Sequence, residues 1–263
     1  MLIDSHCHLV EKLYKKPPEE LISDAKKAQV ETLITVGNNL KDSAQNIELA
    51  EKHENVYATV GIYPHEDQDK TLEELRAGLE NLISSEKVVA IGECGIDIQG
   101  HPNERPIQKQ LELLEMQIEL AVKHSLPIVI HNRNGDEHII KLLEKYTEEG
   151  LTGVFHCFTS DWEMAQKALA IGFYLSFTAI ITYPSGKDLL EVAKQVPNDK
   201  ILIETDAPFL PPQGHRGEIN EPKYVRITAK TLADTKNLTF EEISQITYKN
   251  SCRLFTRIAQ IKV

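Results

Sequence analysis

Short apolar runs alternate along the chain with stretches of helical spacing. The runs cover residues 2–4, 32–36, 56–60, 88–91, 127–130, 153–155, 173–177 and 201–205. They are rich in β-branched residues and nearly continuously apolar, the pattern of parallel strands covered on both faces. Between them, Ile107, Leu111, Leu114, Ile118 and Ala121 recur at steps of four and three and form an amphipathic stripe. Thr71 followed by Glu74, and Thr239 followed by Glu242, predict capping boxes; the second opens a last helix that carries Ile243, Ile246 and Leu254. Strands alternating with helices in this way predict an α/β fold, a single (β/α)8 TIM barrel over residues 1–263. The alternative, a doubly wound open sheet, normally carries a glycine-rich phosphate loop after its first strand, and the sequence shows none there.

Composition narrows the context. The chain has 263 residues, 41% hydrophobic and 26% charged, as in a globular protein. No apolar run approaches the roughly 18 residues of a membrane helix, and the start, MLIDSHCHLV, lacks the features of a signal peptide. The expectation is a cytoplasmic protein with no membrane partner. Four cysteines, none in a CxxC pair, argue against a disulfide scaffold. The net charge of −11 excludes a broad basic surface for nucleic acid. It leaves room for a nuclease, because bound divalent cations can supply positive charge locally.

The candidate chemistry collects at the strand ends. His6 and His8 follow the first run, His131 the fifth and His156 the sixth; Glu93 ends the fourth and Asp206 the eighth. In a parallel barrel all these positions share the C-terminal rim, where such barrels keep their active sites. Any one of these histidines alone would read as structural, but the set at one topological level points to metal. His6 and His8, two apart in an extended segment, face the same way and can hold one cation with Asp206. His131 and His156 can hold a second, and Glu93 can give one oxygen to each. Cations working as a pair would stand roughly 3.5–4 Å apart. His53, His124 and His138 fall in or beside helices and read as surface residues, His101 as part of a polar loop, while His215 is ambiguous. Cys7, Cys94 and Cys157 adjoin proposed ligands, but strand alternation points them toward the helical shell as small apolar residues.

These residues sit in motifs that resemble the TatD-type family of metal-dependent deoxyribonucleases: DSHCHL at 4–9, GIYPHE at 61–66, IGECGID at 91–97, IVIHNR at 128–133, HCF at 156–158 and ETDAPFL at 204–210, followed by NEP at 220–222. They run in family order over nearly the whole chain. The resemblance implies a (β/α)8 barrel, a two-metal site on His6, His8, Glu93, His131, His156 and Asp206, and hydrolysis of DNA phosphodiesters, often from the 3′ end of single strands. It also implies a place for His65 near the substrate phosphate. This chain departs from the family after Asp97, where it reads IQGHPNER, and before NEP, where acidic Glu218 and Ile219 stand in place of a basic residue.

The expected reaction is phosphodiester hydrolysis by a water activated between two divalent cations, with Mg²⁺, Mn²⁺ or Zn²⁺ as candidates. Asp206 is expected to be both ligand and proton acceptor, with Glu93 as the other catalytic carboxylate. Glu204, on the same strand face as Asp206, is expected to orient a ligand. Arg133, two past His131, can reach a phosphate oxygen, and Arg216 and Lys223 flank the PPQGHRG loop as further substrate contacts. The expected partner is single-stranded DNA. The rivals are an amidohydrolase-type deacylase or esterase, whose ligand set would look nearly the same, and a non-catalytic metal-binding barrel. Many amidohydrolases bridge their metals with a modified lysine at the fourth strand; Glu93 in that place favours the phosphodiesterase.

Overall fold

The computed structural model describes residues 1–260. Eight parallel strands pair in sequence order: β1 (Leu2–Cys7), β2 (Val30–Thr35), β3 (Val56–Val60), β4 (Val88–Asp97), β5 (Ile128–Arg133), β6 (Gly153–Phe155), β7 (Tyr174–Phe177) and β8 (Ile201–Ile203). The sheet closes between its first and last strands. His8 donates its backbone N–H to Ala207 and Asp206 donates to His6, while buried Asp4 accepts from both the backbone N–H and the hydroxyl of Thr205. The expected (β/α)8 barrel is therefore what the chain forms. The last three residues of the expected single domain lie outside those described.

The helices are α1 (Pro18–Lys27), α2 (Leu40–Lys52), α3 (Leu72–Ile83), α4 (Ile107–His124), α5 (Asp136–Leu143), α6 (Trp162–Ala170), α7 (Lys187–Gln195), α8 (Val225–Lys236), α9 (Phe240–Leu254) and α10 (Thr256–Gln260). Both capping boxes form, Thr71 with Glu74 opening α3 and Thr239 with Glu242 opening α9. Each satisfies backbone donors that a helix start leaves unpaired.

Strand alternation divides the core in two. One set of residues, among them Leu2, Leu33, Val56, Val88, Ile128 and Ile201, faces the helices. The other set, Ile3, Ile34, Tyr57, Val89, Val129, Val154 and Leu202, fills the barrel interior near the start of the strands. Leu254, Phe255 and Ile258 from the C-terminal helices join this inner layer and plug that end. Arg257 ties the plug down by donating to the carbonyls of Ile83, Ser85 and Val88.

The strands that carry the site are longer or less regular than the apolar runs suggest. β1 runs on to Cys7 and β4 to Asp97, so His6 and Glu93 lie within strands rather than after them. β8 stops at Ile203, so Asp206 lies past it, at φ 54°. Within β4, Gly95 has φ 152°, and a Cβ there would meet the carbonyl oxygen of His131 at 1.8 Å. Only glycine lets β4 press this closely on β5 beside Glu93 and His131.

Candidate metal centre

Moving up the interior by the two-residue period of a strand turns apolar residues into polar ones. His131 stands two past Val129, His156 two past Val154, and Glu204 two past Leu202. In β1 the pairing register shifts between Asp4 and Cys7, and His6 joins the same set. The result is one cluster at the C-terminal rim.

The donor atoms form overlapping groups: His6, His8 and Glu93; Glu93, His131 and His156; and, between these, His6, His156 and Asp206. His6 Nε2 and His8 Nε2 are 3.2 Å apart. Asp206 Oδ1 lies 3.6 Å from the first and 3.4 Å from the second, and Glu93 Oε2 lies 3.3 and 3.8 Å from them. On the other side, Glu93 Oε1 is 2.7 Å from His131 Nδ1 and 2.9 Å from His156 Nε2, and those nitrogens are 3.2 Å apart. Lone pairs aimed at one another at these distances need a proton or a cation between them. The donors, imidazole nitrogen and carboxylate oxygen, are those that divalent Zn²⁺ or Mn²⁺ accepts. Two of the rings are held from behind. His156 Nδ1 lies 3.2 Å from Glu204, which also accepts from the Cys157 backbone N–H at 2.8 Å. His131 presents Nδ1 to the cluster. Its Nε2 faces the Tyr63 hydroxyl at 3.4 Å, and that hydroxyl donates to Asp97 Oδ2 at 2.5 Å. Outer hydrogen bonds of this kind fix the tautomer that leaves a lone pair for a metal. The residues present therefore fit a metal centre.

The electrostatics agree. Burial by itself would raise Glu93, yet His156, His131 and His6 hold it well below the usual carboxylate range. Asp206 is lowered in the same way, against burial, by His8 and then His6. Burial pulls His8 down, but Asp206 and Glu93 outweigh it and push the ring up to about 8. His156 and His131 are likewise raised, against burial, by facing carboxylates. Burial and the charge of His156 leave His6 lowered. The carboxylates are thus favoured in their ionised form by the facing rings, of which His8, His131 and His156 are raised and His6 is lowered.

A cavity of about 550 Å³ opens above the cluster, lined by His8, Glu93, His131, His156 and Asp206 and walled by other rim residues. Arg133 is among them. Arg216 and Lys223 are not: Arg216 lies over the Tyr183 ring at 4.6 Å, and Lys223 pairs with Glu221 at 2.7 Å. His65 does not line the cavity either. It is buried, stacks on His101 at 4.4 Å, and accepts the Arg105 backbone N–H on Nδ1. His101 is thus more than a loop residue, and Arg105 anchors this segment further by donating to the Glu66 carbonyl. Cys7 and Cys94 are fully buried in the shell, as alternation predicts. For Cys157 that reading needs correction: β6 ends at Phe155, Cys157 has φ 41°, and the residue is among those lining the cavity. Strand alternation does not apply past the strand's end.

Sequence reasoning passed over three residues here, Tyr63, Asp97 and Phe209. All stand inside the motifs that flagged the ligands, and Tyr63 and Phe209 line the cavity. Their signal is present in the motifs, but their pairing needs the fold.

Residues 3–256 match the family model for TatD-related DNases. The chain is 42% identical to YabD of Bacillus subtilis, named an uncharacterized metal-dependent hydrolase, over 97% of this chain and 99% of that one. It is 35% identical to YcfH of Escherichia coli K12, a protein of the same description, over 97% of this chain and 95% of that one. Among solved structures, YjjV, a TatD homologue from Escherichia coli K12, superposes with a TM-score of 0.88 at 28% identity, over 97% of this chain and 98% of that one.

Proposed function

The chain belongs to the TatD-related DNase family and is a metal-dependent hydrolase; from that premise we propose that its reaction is hydrolysis of DNA phosphodiester bonds, from the end of a single strand, at a pair of divalent cations. One observation carries the two-cation reading: the oxygens of Glu93 face different ligand groups, Oε2 toward His6 and His8, Oε1 toward His131 and His156. A single cation would need only one of these groups. In this reading His6, His8, Asp206 and Glu93 would hold one cation, and His131, His156 and Glu93 the other. When bound, the pair supplies positive charge to a phosphodiester and acidifies a water.

The chain's own residues do the rest. Asp206 reaches the cavity with its carboxylate held ionised, so it can take the proton of an attacking water. Glu204 and the Tyr63–Asp97 pair keep His156 and His131 in place. Arg133, on the rim, meets a phosphate oxygen. The overall charge of −11 disfavours long contacts along a duplex, which fits recognition of a chain end.

The test is turnover of single- and double-stranded oligonucleotides, labelled at either end, with Mg²⁺, Mn²⁺ or Zn²⁺, beside metal analysis of the purified protein. The expected result is chelator-sensitive release of mononucleotides from one end, faster on single strands, with close to two metal ions per chain. Turnover of an amide or carboxylic ester, with no oligonucleotide cut under any metal, would replace this reading by the amidohydrolase one.

A further inference from the structure

Resting on that nuclease reading, we propose that Phe209 is the platform on which the base of the substrate's terminal nucleotide stacks while its phosphodiester lies at the donor cluster. Among the described residues the exposed large hydrophobics are Met1, Leu13 and Phe209, and of these Phe209 lines the cavity. The residue is 42% exposed and its ring meets the His8 ring at 5.8 Å, tilted by 71°, so it stands directly beside a proposed metal ligand. An apolar ring left in water forgoes the stabilisation of burial, and at an active-site mouth that exposure points to a ligand.

The exposure does not come from a loose backbone. Phe209 donates its N–H to Asp206 at 2.9 Å. Asn220, fully buried, donates from one side-chain amide to the carbonyls of Thr205, Phe209 and Leu210 at 2.9, 2.6 and 3.3 Å. The segment after β8 is therefore pinned, and the ring projects from a fixed frame. The cavity around it is two-faced: Leu210 and Ile180 continue the apolar wall of Phe209, and Asn38, Thr159 and Arg133 supply polar groups. A nucleotide has the same two faces, a flat apolar base and a polar sugar phosphate.

Charge favours the same ligand. Arg216 and Lys223 are engaged with Tyr183 and Glu221 rather than lining the cavity, which leaves Arg133 to meet phosphate. With so little positive charge to hold a backbone, affinity has to come from elsewhere. Stacking on an aromatic side chain supplies it, and does so for every base, because each has a π-face.

The experiment compares oligonucleotides that end in a normal nucleotide with ones that end in an abasic residue, using wild type, F209A and F209W. Wild type should favour the base-bearing end in kcat/KM by roughly 10- to 100-fold, the scale of one stacked base. F209A should lose most of that preference, mainly through KM, and F209W should keep it. Independently of turnover, 2-aminopurine deoxynucleoside 5′-monophosphate, which has no phosphodiester to cut, should be quenched on binding wild type and F209W and much less by F209A. Wild type that cuts both ends equally well, or F209A that discriminates as wild type does, would overturn the platform and leave the nuclease reading standing. Failure of wild type to cut any oligonucleotide would overturn both.

Discussion

The two ends of the barrel interior are built from the same strands and serve opposite ends. At the start of the strands, Val129, Val154 and Leu202 pack with Phe255 and Ile258 into a dry plug. Two residues further on, the same inward face presents His131, His156 and Glu204. The lower layer buries apolar surface, each full side chain contributing about 1.5–3 kcal/mol. The upper layer buries carboxylates and imidazoles, which is costly unless they are paired. The polar end is tolerable because each charge there meets its opposite, Glu93 among four imidazoles and Asp206 beside two. Stability and chemistry are thus separated by about one turn of strand alternation, and substitutions at the two ends should have separable consequences.

The largest effect should come from the polar end and fall on activity. Asp206→Asn keeps shape and one oxygen donor but loses charge and basicity. Turnover should drop by about 10²–10⁴-fold, the scale of a lost general base, while metal affinity falls less because His6, His8 and Glu93 remain. His131→Ala should instead regain part of its activity as Mn²⁺ is titrated. If Asp206→Asn recovers fully at high Mn²⁺, Asp206 is a ligand only and the proton goes elsewhere. The mirror experiment is at the apolar end. Phe255→Ala should cost about 3–5 kcal/mol in urea unfolding and leave turnover per folded molecule unchanged. A large drop in turnover at full folding would show that the two ends are coupled.

The apolar end was the more legible of the two in the sequence. Continuous β-branched runs and capping boxes read directly as buried parallel strands and helix starts, because these are local rules. The metal cluster was legible too, since a histidine or carboxylate just past a strand has one place to go in a parallel barrel. What could not be read depends on contacts between distant segments. The register shift in β1 that turns His6 inward, the Tyr63 hydroxyl between Asp97 and His131, and the hold of Asn220 on the Phe209 segment are examples. Arg216 and Lys223 depend on such contacts as well: nearness in sequence to the rim suggested a phosphate contact, and in the fold one lies over the Tyr183 ring and the other pairs with Glu221.

A smaller effect tests how far the support around the cluster matters. Glu204→Gln removes the charge behind His156 but keeps an acceptor for the Cys157 N–H. Affinity for the cation held by His131, His156 and Glu93 should weaken by about 10- to 100-fold, with little change at the His6–His8 group. Calorimetric titration of chelator-treated protein resolves the two. Equal weakening of both groups would mean that Glu204 supports the rim as a whole.

The smallest expected effect is in pH, and it concerns how the polar end stays folded after a chelator has stripped the metal. His8 is raised from its ordinary value of 6.5 to about 8 because Asp206 and Glu93 outweigh burial. A group whose folded pKa is raised stabilises the fold in its protonated form. Its contribution is complete below about 6.5 and is lost as pH rises through about 8. The difference corresponds to about 2 kcal/mol, at 1.36 kcal/mol per pH unit. In stripped protein, wild type should therefore lose about that much more stability than His8→Asn between pH 6 and 9, by urea unfolding. With saturating Mn²⁺ or Zn²⁺ the sign should reverse over the same window, because the cation competes with the proton for the His8 nitrogen and binds more tightly as pH rises. Stripped wild type whose stability holds level with His8→Asn across the window would mean that the carboxylates facing His8 do not hold a proton there. The balance of charge that makes the upper layer tolerable would then have to rest on the other rings.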